Sequence, residues 1–190
     1  SVASGECAPE AALERLRGLP FEDLGFAKID HHRALRKGYP ETIFCAGKTP
    51  GQVVDIVGRM AAHGSNVLGT RCAPEVIAAV LDAYPQAAHH AAARAFTLTA
   101  EPVEMLEGYV AVVCAGTSDI PVAEEAVVTC ESLGAPVQRV YGVGVAGIHR
   151  LFQQRAALEA ASALVVCAGM EGALPSVVAG LVSKPVIGVP

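Results

Sequence analysis

Tryptophan is absent from this chain, and tyrosine and phenylalanine hold the aromatic content to 5% of 190 residues. With few rings to bury, the 52% apolar content rests on alanine and valine, the composition of parallel strands covered by helices on both faces. No run of 18 apolar residues occurs, which excludes a membrane-spanning helix. The opening SVASGECAPE has no basic-then-apolar pattern, so no secretory signal is read. It also lacks an initiator Met, and the sequence is expected to begin inside a longer gene product. Basic residues are in the minority, 14 against 19 acidic, and the net charge of −5 argues against nucleic acid as a partner while leaving local basic patches open. The six cysteines include no CxxC pair of the zinc type. They could form three disulfides. However, Cys114 and Cys167 sit in apolar runs and Cys130 on an apolar helix face, which favours free thiols acting as small hydrophobes in a cytoplasmic protein.

What is present is regular alternation. APEAALERLRGLPF places Ala12, Leu13, Leu16 and Leu19 at helical spacing, predicting an amphipathic helix at the start. LGFAKIDHHRALRKGYPETIFCAGK reads as two short strands around a basic connection. TPGQVVDIVGRMAAHG is a helix with Thr49 as cap, Pro50 in its first turn and Gly64 ending it. A strand (NVLGT), a helix (APEVIAAVLDAYP) and a strand (HHAAARAFTLT) complete a small α/β unit over residues 1–100, and AEPVEMLEG forms a junction. Residues 108–190 then alternate strand and helix throughout. The helix IPVAEEAVVTCESLG puts Val122, Ala126, Cys130 and Leu133 on one face, and a single helix is predicted over IHRLFQQRAALEAA. Such alternation predicts a doubly wound, flavodoxin-like parallel sheet.

Two strands of this second unit end in the same VVCAG, at residues 112–116 and 165–169. In a doubly wound sheet, ligands sit beyond the carboxyl ends of the strands, where glycine lets the backbone turn and approach them. Gly116, Thr117 and Ser118 stand at a helix N-terminus, where amides and hydroxyls can hold a phosphate. Asp119 would repel that phosphate and suits a ribose hydroxyl, Mg²⁺ or a helix cap. AGMEGALP sets Gly169, Met170, Glu171 and Gly172 at the matching edge; Glu171, half shielded by Met170, is a candidate proton acceptor with a raised pKa, or else a solvated loop acid. GVGVAGIHR adds Gly147, a proton-carrying His149 and Arg150, whose guanidinium can fork onto phosphate or carboxylate. Cys114 and Cys167 are expected beneath the pocket as core residues.

These motifs carry a resemblance. AGTSD, AGIHR and AGMEGALP resemble loops of the PurE family of aminoimidazole ribonucleotide carboxylases and mutases. With FAKIDHHRALRKGYPETIFCAGKT, GTSDIPVAEEA and GMEGALPSVVAGLV, the chain is more similar still to the LarB family of nickel-pincer cofactor biosynthesis proteins. The resemblance implies a PurE-like second domain and carboxylation of the pyridinium ring of nicotinic acid adenine dinucleotide, with CO₂ or bicarbonate as co-substrate and Mg²⁺ as cofactor. Cleavage of the phosphoanhydride would then give pyridinium-3,5-biscarboxylic acid mononucleotide and AMP. It also implies Glu171 as base, His149 as proton mover or orienting group, and a symmetric homo-oligomer. A PurE-type reaction on an aminoimidazole ribonucleotide, and a nucleotide-binding module without chemistry, are the other readings. Two departures stand out. Gly142 occupies a position where the family usually has Asp, and the family's nucleophilic Cys lies beyond PVIGVP, so the second domain is expected to be truncated. The run Lys28, Arg33, Arg36, Lys37 beside His31 and His32 invites an anion, such as the adenylate half of the dinucleotide or its diphosphate, or else is a solvated basic loop; the adjacent histidines alone make a poor metal site.

Overall fold

The computed structural model describes residues 7–9 and 21–190, so the helix read at the start of the chain lies outside the described residues. Two compact units emerge, one of Ser1–Ala88 with Thr97–Glu101 and the other of His89–Phe96 with Pro102–Pro190.

In the first unit, β1 (Glu22–Asp23) and β2 (Lys28–Ile29) pair antiparallel. The basic connection contains a short helix, α1 (Arg33–Lys37), before β3 (Thr42–Phe44). Both β1 and α1 are too short to leave a periodic signature, and the sequence reading missed them. Helix α2 (Pro50–Ala62) begins as expected: Thr49 accepts from the Gln52 amide while the Gln52 side chain accepts from the Thr49 amide, a reciprocal cap. It buries Val53, Ile56, Val57 and Met60. β4 (Val67–Thr70) runs parallel to β3 and is buried along its whole length, and α3 (Pro74–Ala83) follows it. The single strand expected over residues 89–99 is two, β5 (Ala88–His90) and β6 (Ala95–Leu98), and the unit boundary runs through both, with His89 to Phe96 counted in the second unit. A turn closed by Arg94 in the left-handed region (φ 49°) separates them. The sheet order is β3-β4-β6-β5.

The second unit contains β7 (Val110–Cys114), β8 (Val137–Tyr141), β9 (Ala163–Cys167) and β10 (Val186–Val189), all parallel in the order β10-β9-β7-β8. The helices are α4 (Ile120–Ser132), α5 (Ile148–Gln153), α6 (Arg155–Ala160) and α7 (Ala173–Leu181). The helix expected over 148–161 is thus broken at Gln154, whose amide bonds back to Leu151 O in a tightened last turn. Successive residues of β7 serve opposite faces, as the two-residue period of a strand requires. Ala111 and Val113 pack with Val140, Leu151, Leu158, Leu164 and Leu174, whereas Val112 and Cys114 pack with Ala123, Val127 and Cys167. On α4 the buried residues are Ala123, Val127 and Val128, with Leu133 37% exposed, so its inward face is centred on Ala123 and Val127 rather than on the expected row. The sheet is covered on both sides, which accounts for unbroken apolar strands such as VAVVC.

Candidate active site at the sheet edge

Counted within its own unit, the second strand lies on one side of the first and the third on the other. This is the flavodoxin-like order, and its switch point falls between β7 and β9. Both strands that end in VVCAG therefore border the crevice. They end level: Cys114 is the register partner of Cys167 on one side and of Tyr141 on the other. The loops after β7, β8 and β9 leave from one edge, bringing together Gly116–Asp119, Gly142–Arg150 and Gly169–Gly172.

Asp119 ties two of these loops together. Its Oδ2 accepts from the Gly116 amide at 2.8 Å and its Oδ1 from the Gly169 amide at 3.3 Å. Both bonds are charge-assisted, so the carboxylate clamps the two CAG ends while leaving further lone pairs on each oxygen. An acid three residues after a strand-ending glycine is a readable capping pattern. The partnership with Gly169, 50 residues away, is not. Thr117 and Ser118 stand exposed in a 3₁₀ turn (Thr117–Asp119) that leads into α4.

On the β8 side, the guanidinium of Arg150 lies against the backbone of Gly147. A Cβ on Gly147 would fall 2.6 Å from Nη2 and 2.7 Å from Nε, so the missing side chain makes room for the guanidinium. His149 and Arg150 are exposed in the first turn of α5. Gly142 adopts φ 72° in open space. Among side chains, Asp and Asn tolerate this left-handed conformation best, which suits the Asp expected there in relatives.

The third loop differs from expectation. Met170 is 96% exposed and shields nothing, and Glu171 is exposed as well. Gly172 adopts φ 64° at the N-cap of α7, a conformation costly for a residue with a Cβ. Pro190 lies against Gly169, its carbonyl carbon 3.8 Å from where a Cβ would be. The chain therefore leaves β10 at this same edge.

The thiols below are core residues. Cys114 and Cys167 are buried, and burial pushes both above the ordinary range, Cys167 to about 11. Cys45, in the first unit, is lowered by a hydrogen bond with Cys72, against burial and with help from Lys48, yet is only 2% exposed. All six cysteines are free.

A network that the sequence reading missed buttresses the end of β8. Tyr141 donates to Glu124 at 2.7 Å, and Arg139 grips the same carboxylate through Nε (3.1 Å) and Nη2 (3.3 Å) while reaching Glu131 through Nη1 (3.2 Å). Burial, then the bond to Glu124, push the Tyr141 phenol far above its ordinary pKa. In the first unit, the basic run is largely neutralised in place: Lys28 pairs with Asp23, Arg33 with Glu41 and Arg36 with Asp30.

Comparison with known proteins places both units. Residues 21–101 match the family described as LarB/PurE-like N-terminal domain, and residues 109–190 match AIR carboxylase. An uncharacterized protein of Methanocaldococcus jannaschii is 37% identical over 172 residues, covering 86% of this chain and 67% of the relative. The chain belongs to the LarB family. Its second unit is a PurE-like domain of carboxylase type, and the LarB assignment accounts for the first unit that a PurE-like domain alone would leave unexplained. Among the described residues, no helix is long and apolar enough to cross a membrane.

Proposed function

We propose that this LarB-family protein carboxylates the pyridinium ring of nicotinic acid adenine dinucleotide. It then hydrolyses the phosphoanhydride, releasing AMP and pyridinium-3,5-biscarboxylic acid mononucleotide, the first step of nickel-pincer cofactor synthesis. The observation that carries this reading is the clamp at the switch point, where Asp119 joins both CAG strand ends, with the Arg150 guanidinium seated on Gly147 in the neighbouring loop. Gly116, Thr117 and Ser118 offer amides and hydroxyls at a helix start, suited to the diphosphate, and Arg150 adds a fork.

A pyridinium ring is too electron-poor to attack CO₂. A thiolate must first add to it, producing an enamine-like carbon whose electron pair attacks CO₂. A base removes the ring proton, and the electron pair released expels the thiolate and restores aromaticity. Glu171, exposed and acidic at the crevice, takes the role of base, with His149 as the group that orients substrate or moves the proton. Buried Cys114 and Cys167 are unsuited as the nucleophile. The family resemblance places it after β10, where the chain emerges beside Gly169. Mg²⁺ fits Asp119, because Mg²⁺ is commonly held by one or two carboxylates plus substrate phosphates and each Asp119 oxygen keeps a lone pair. When bound, it would neutralise phosphoanhydride charge. The free thiols fit a cytoplasmic protein.

The match to AIR carboxylase favours one alternative, a PurE-type reaction on an aminoimidazole ribonucleotide. The test uses the chain carried through the family's cysteine, incubated with either substrate, bicarbonate and Mg²⁺. AMP and the biscarboxylated mononucleotide, found by mass spectrometry with the dinucleotide only, are expected. Turnover of the aminoimidazole ribonucleotide alone would overturn the assignment. Glu171→Gln should retain binding and lose about 10²–10⁴-fold in carboxylation rate; full activity in that variant would move the base elsewhere.

A further inference from the structure

The first unit gathers a cluster that the proposed reaction does not use. Glu22 on β1, His31 just after β2 and His63 at the C-terminus of α2 each offer one ligand atom, all within 4.8 Å of one another. Glu22 Oε2 and His31 Nε2 are 3.1 Å apart, and the His31 side chain is only 3% exposed. The His63 ring stacks on His31 with centroids 3.7 Å apart and planes at 21°. A hydrogen bond to Glu22 by itself accounts for buried His31, but it does not call for a second imidazole beside the same carboxylate.

We propose that Glu22, His31 and His63 form a binding site for a borderline divalent cation, Zn²⁺, with its remaining position open to solvent. Two imidazoles and one carboxylate are a zinc ligand set, and the ligand atoms of a tetrahedral ion with bonds of about 2.0–2.1 Å lie about 3.3 Å apart. The Glu22–His31 pair already has that spacing; exposed His63 needs only to turn inward. His63 Nδ1 lies 2.9 Å from Arg59 O, and a carbonyl only accepts, so Nδ1 carries the proton and the neutral ring keeps its lone pair on Nε2. Metal-bound imidazoles are characteristically held by such an outer bond. Arg59 Nη1, 3.5 Å from Glu22 Oε1, holds the other carboxylate oxygen and leaves Oε2 toward His31. Its positive charge tempers affinity, whereas the negative end of the α2 dipole at His63 favours a cation. On binding, the metal takes the place of the hydrogen bond between His31 Nε2 and Glu22, and the neutral imidazole carries its one proton on Nδ1. The site does not depend on the proposed reaction.

The test is Co²⁺ titration of chelator-treated protein followed by visible absorption, then Zn²⁺ calorimetry. Expected is one equivalent of Co²⁺ with nitrogen and oxygen ligands, displaced by Zn²⁺ and showing no sulfur-to-cobalt charge-transfer band. His63→Ala and Glu22→Gln should each weaken binding by about 10–100-fold with the circular dichroism spectrum unchanged. His63 is on the surface, so its removal does not threaten the core. No binding, equal affinity in His63→Ala, or a bound ion showing the thiolate band would overturn the proposal.

Discussion

Gly147 and Arg150 act as one device. A methyl group at Gly147 would collide with the guanidinium rather than with backbone, so the side chain can yield and the fold survive while its aim is lost. Gly147→Ala should therefore weaken dinucleotide binding by about 1–3 kcal/mol, as should Arg150→Ala, the range for charge-assisted contacts. The double variant should lose no more than the larger single effect, because both changes remove the same interaction. Calorimetry on the three proteins checks this; additive losses would mean that Gly147 touches the ligand itself. Ser118→Ala, which alters an exposed hydroxyl in the Thr117–Asp119 turn, belongs in the same series. If it leaves affinity unchanged, the phosphates lie elsewhere.

At the level of elements, α4 and β8 are joined through Glu124. Burial pushes its carboxyl up, but the Arg139 and Tyr141 hydrogen bonds, with the charges of Arg139 and His90, outweigh this and leave it below the ordinary range. A carboxylate with a lowered folded pKa contributes stability that is present above its unfolded value, about 4.3, and lost as pH falls through the folded value. Thermal melts between about pH 7 and pH 3 should show stability falling at the acid end, with a shallower fall in Glu124→Gln. An identical acid limb in the variant would show that other carboxylates carry the dependence. The strands make a second prediction. Burial holds Cys114 and Cys167 above the ordinary thiol range, so near neutral pH they should resist alkylation in the folded protein and react once it is denatured. Peptide mapping decides it, and rapid native labelling of either would make that thiol a candidate nucleophile.

On the scale of the whole molecule, Phe152 (50%), Met170 (96%) and Ile187 (58%) leave apolar surface exposed on the second unit, some of it bordering the crevice. The family resemblance implies a homo-oligomer, whose contacts would be expected to cover such residues. Light scattering after size exclusion should give a whole-number multiple of 19.5 kDa. A single-chain mass at working concentration would rule out assembly. An oligomer would also give Met170, which shields nothing in one chain, a surface to pack against.

The alternation of apolar runs and glycine-bounded helices was enough to determine the doubly wound class of residues 108–190, because a strand that must be buried on both faces can only be apolar throughout. The Thr49 cap and the paired CAG ends were legible for a similar reason: each is a local pattern whose partners lie within a few residues. Glycine spacing marked where the loops leave the ends of the strands. Spacing does not record which amide meets Asp119 across 50 residues, why Gly147 must lack a side chain, or that Glu124 links a helix to a strand. Nor could it show that His31 finds its partners in Glu22 and His63, when its neighbour His32 was the pairing in view. These are contacts between elements, decided by strand order and packing, and side chains far apart in the chain meet only once the sheets and their covering helices have formed.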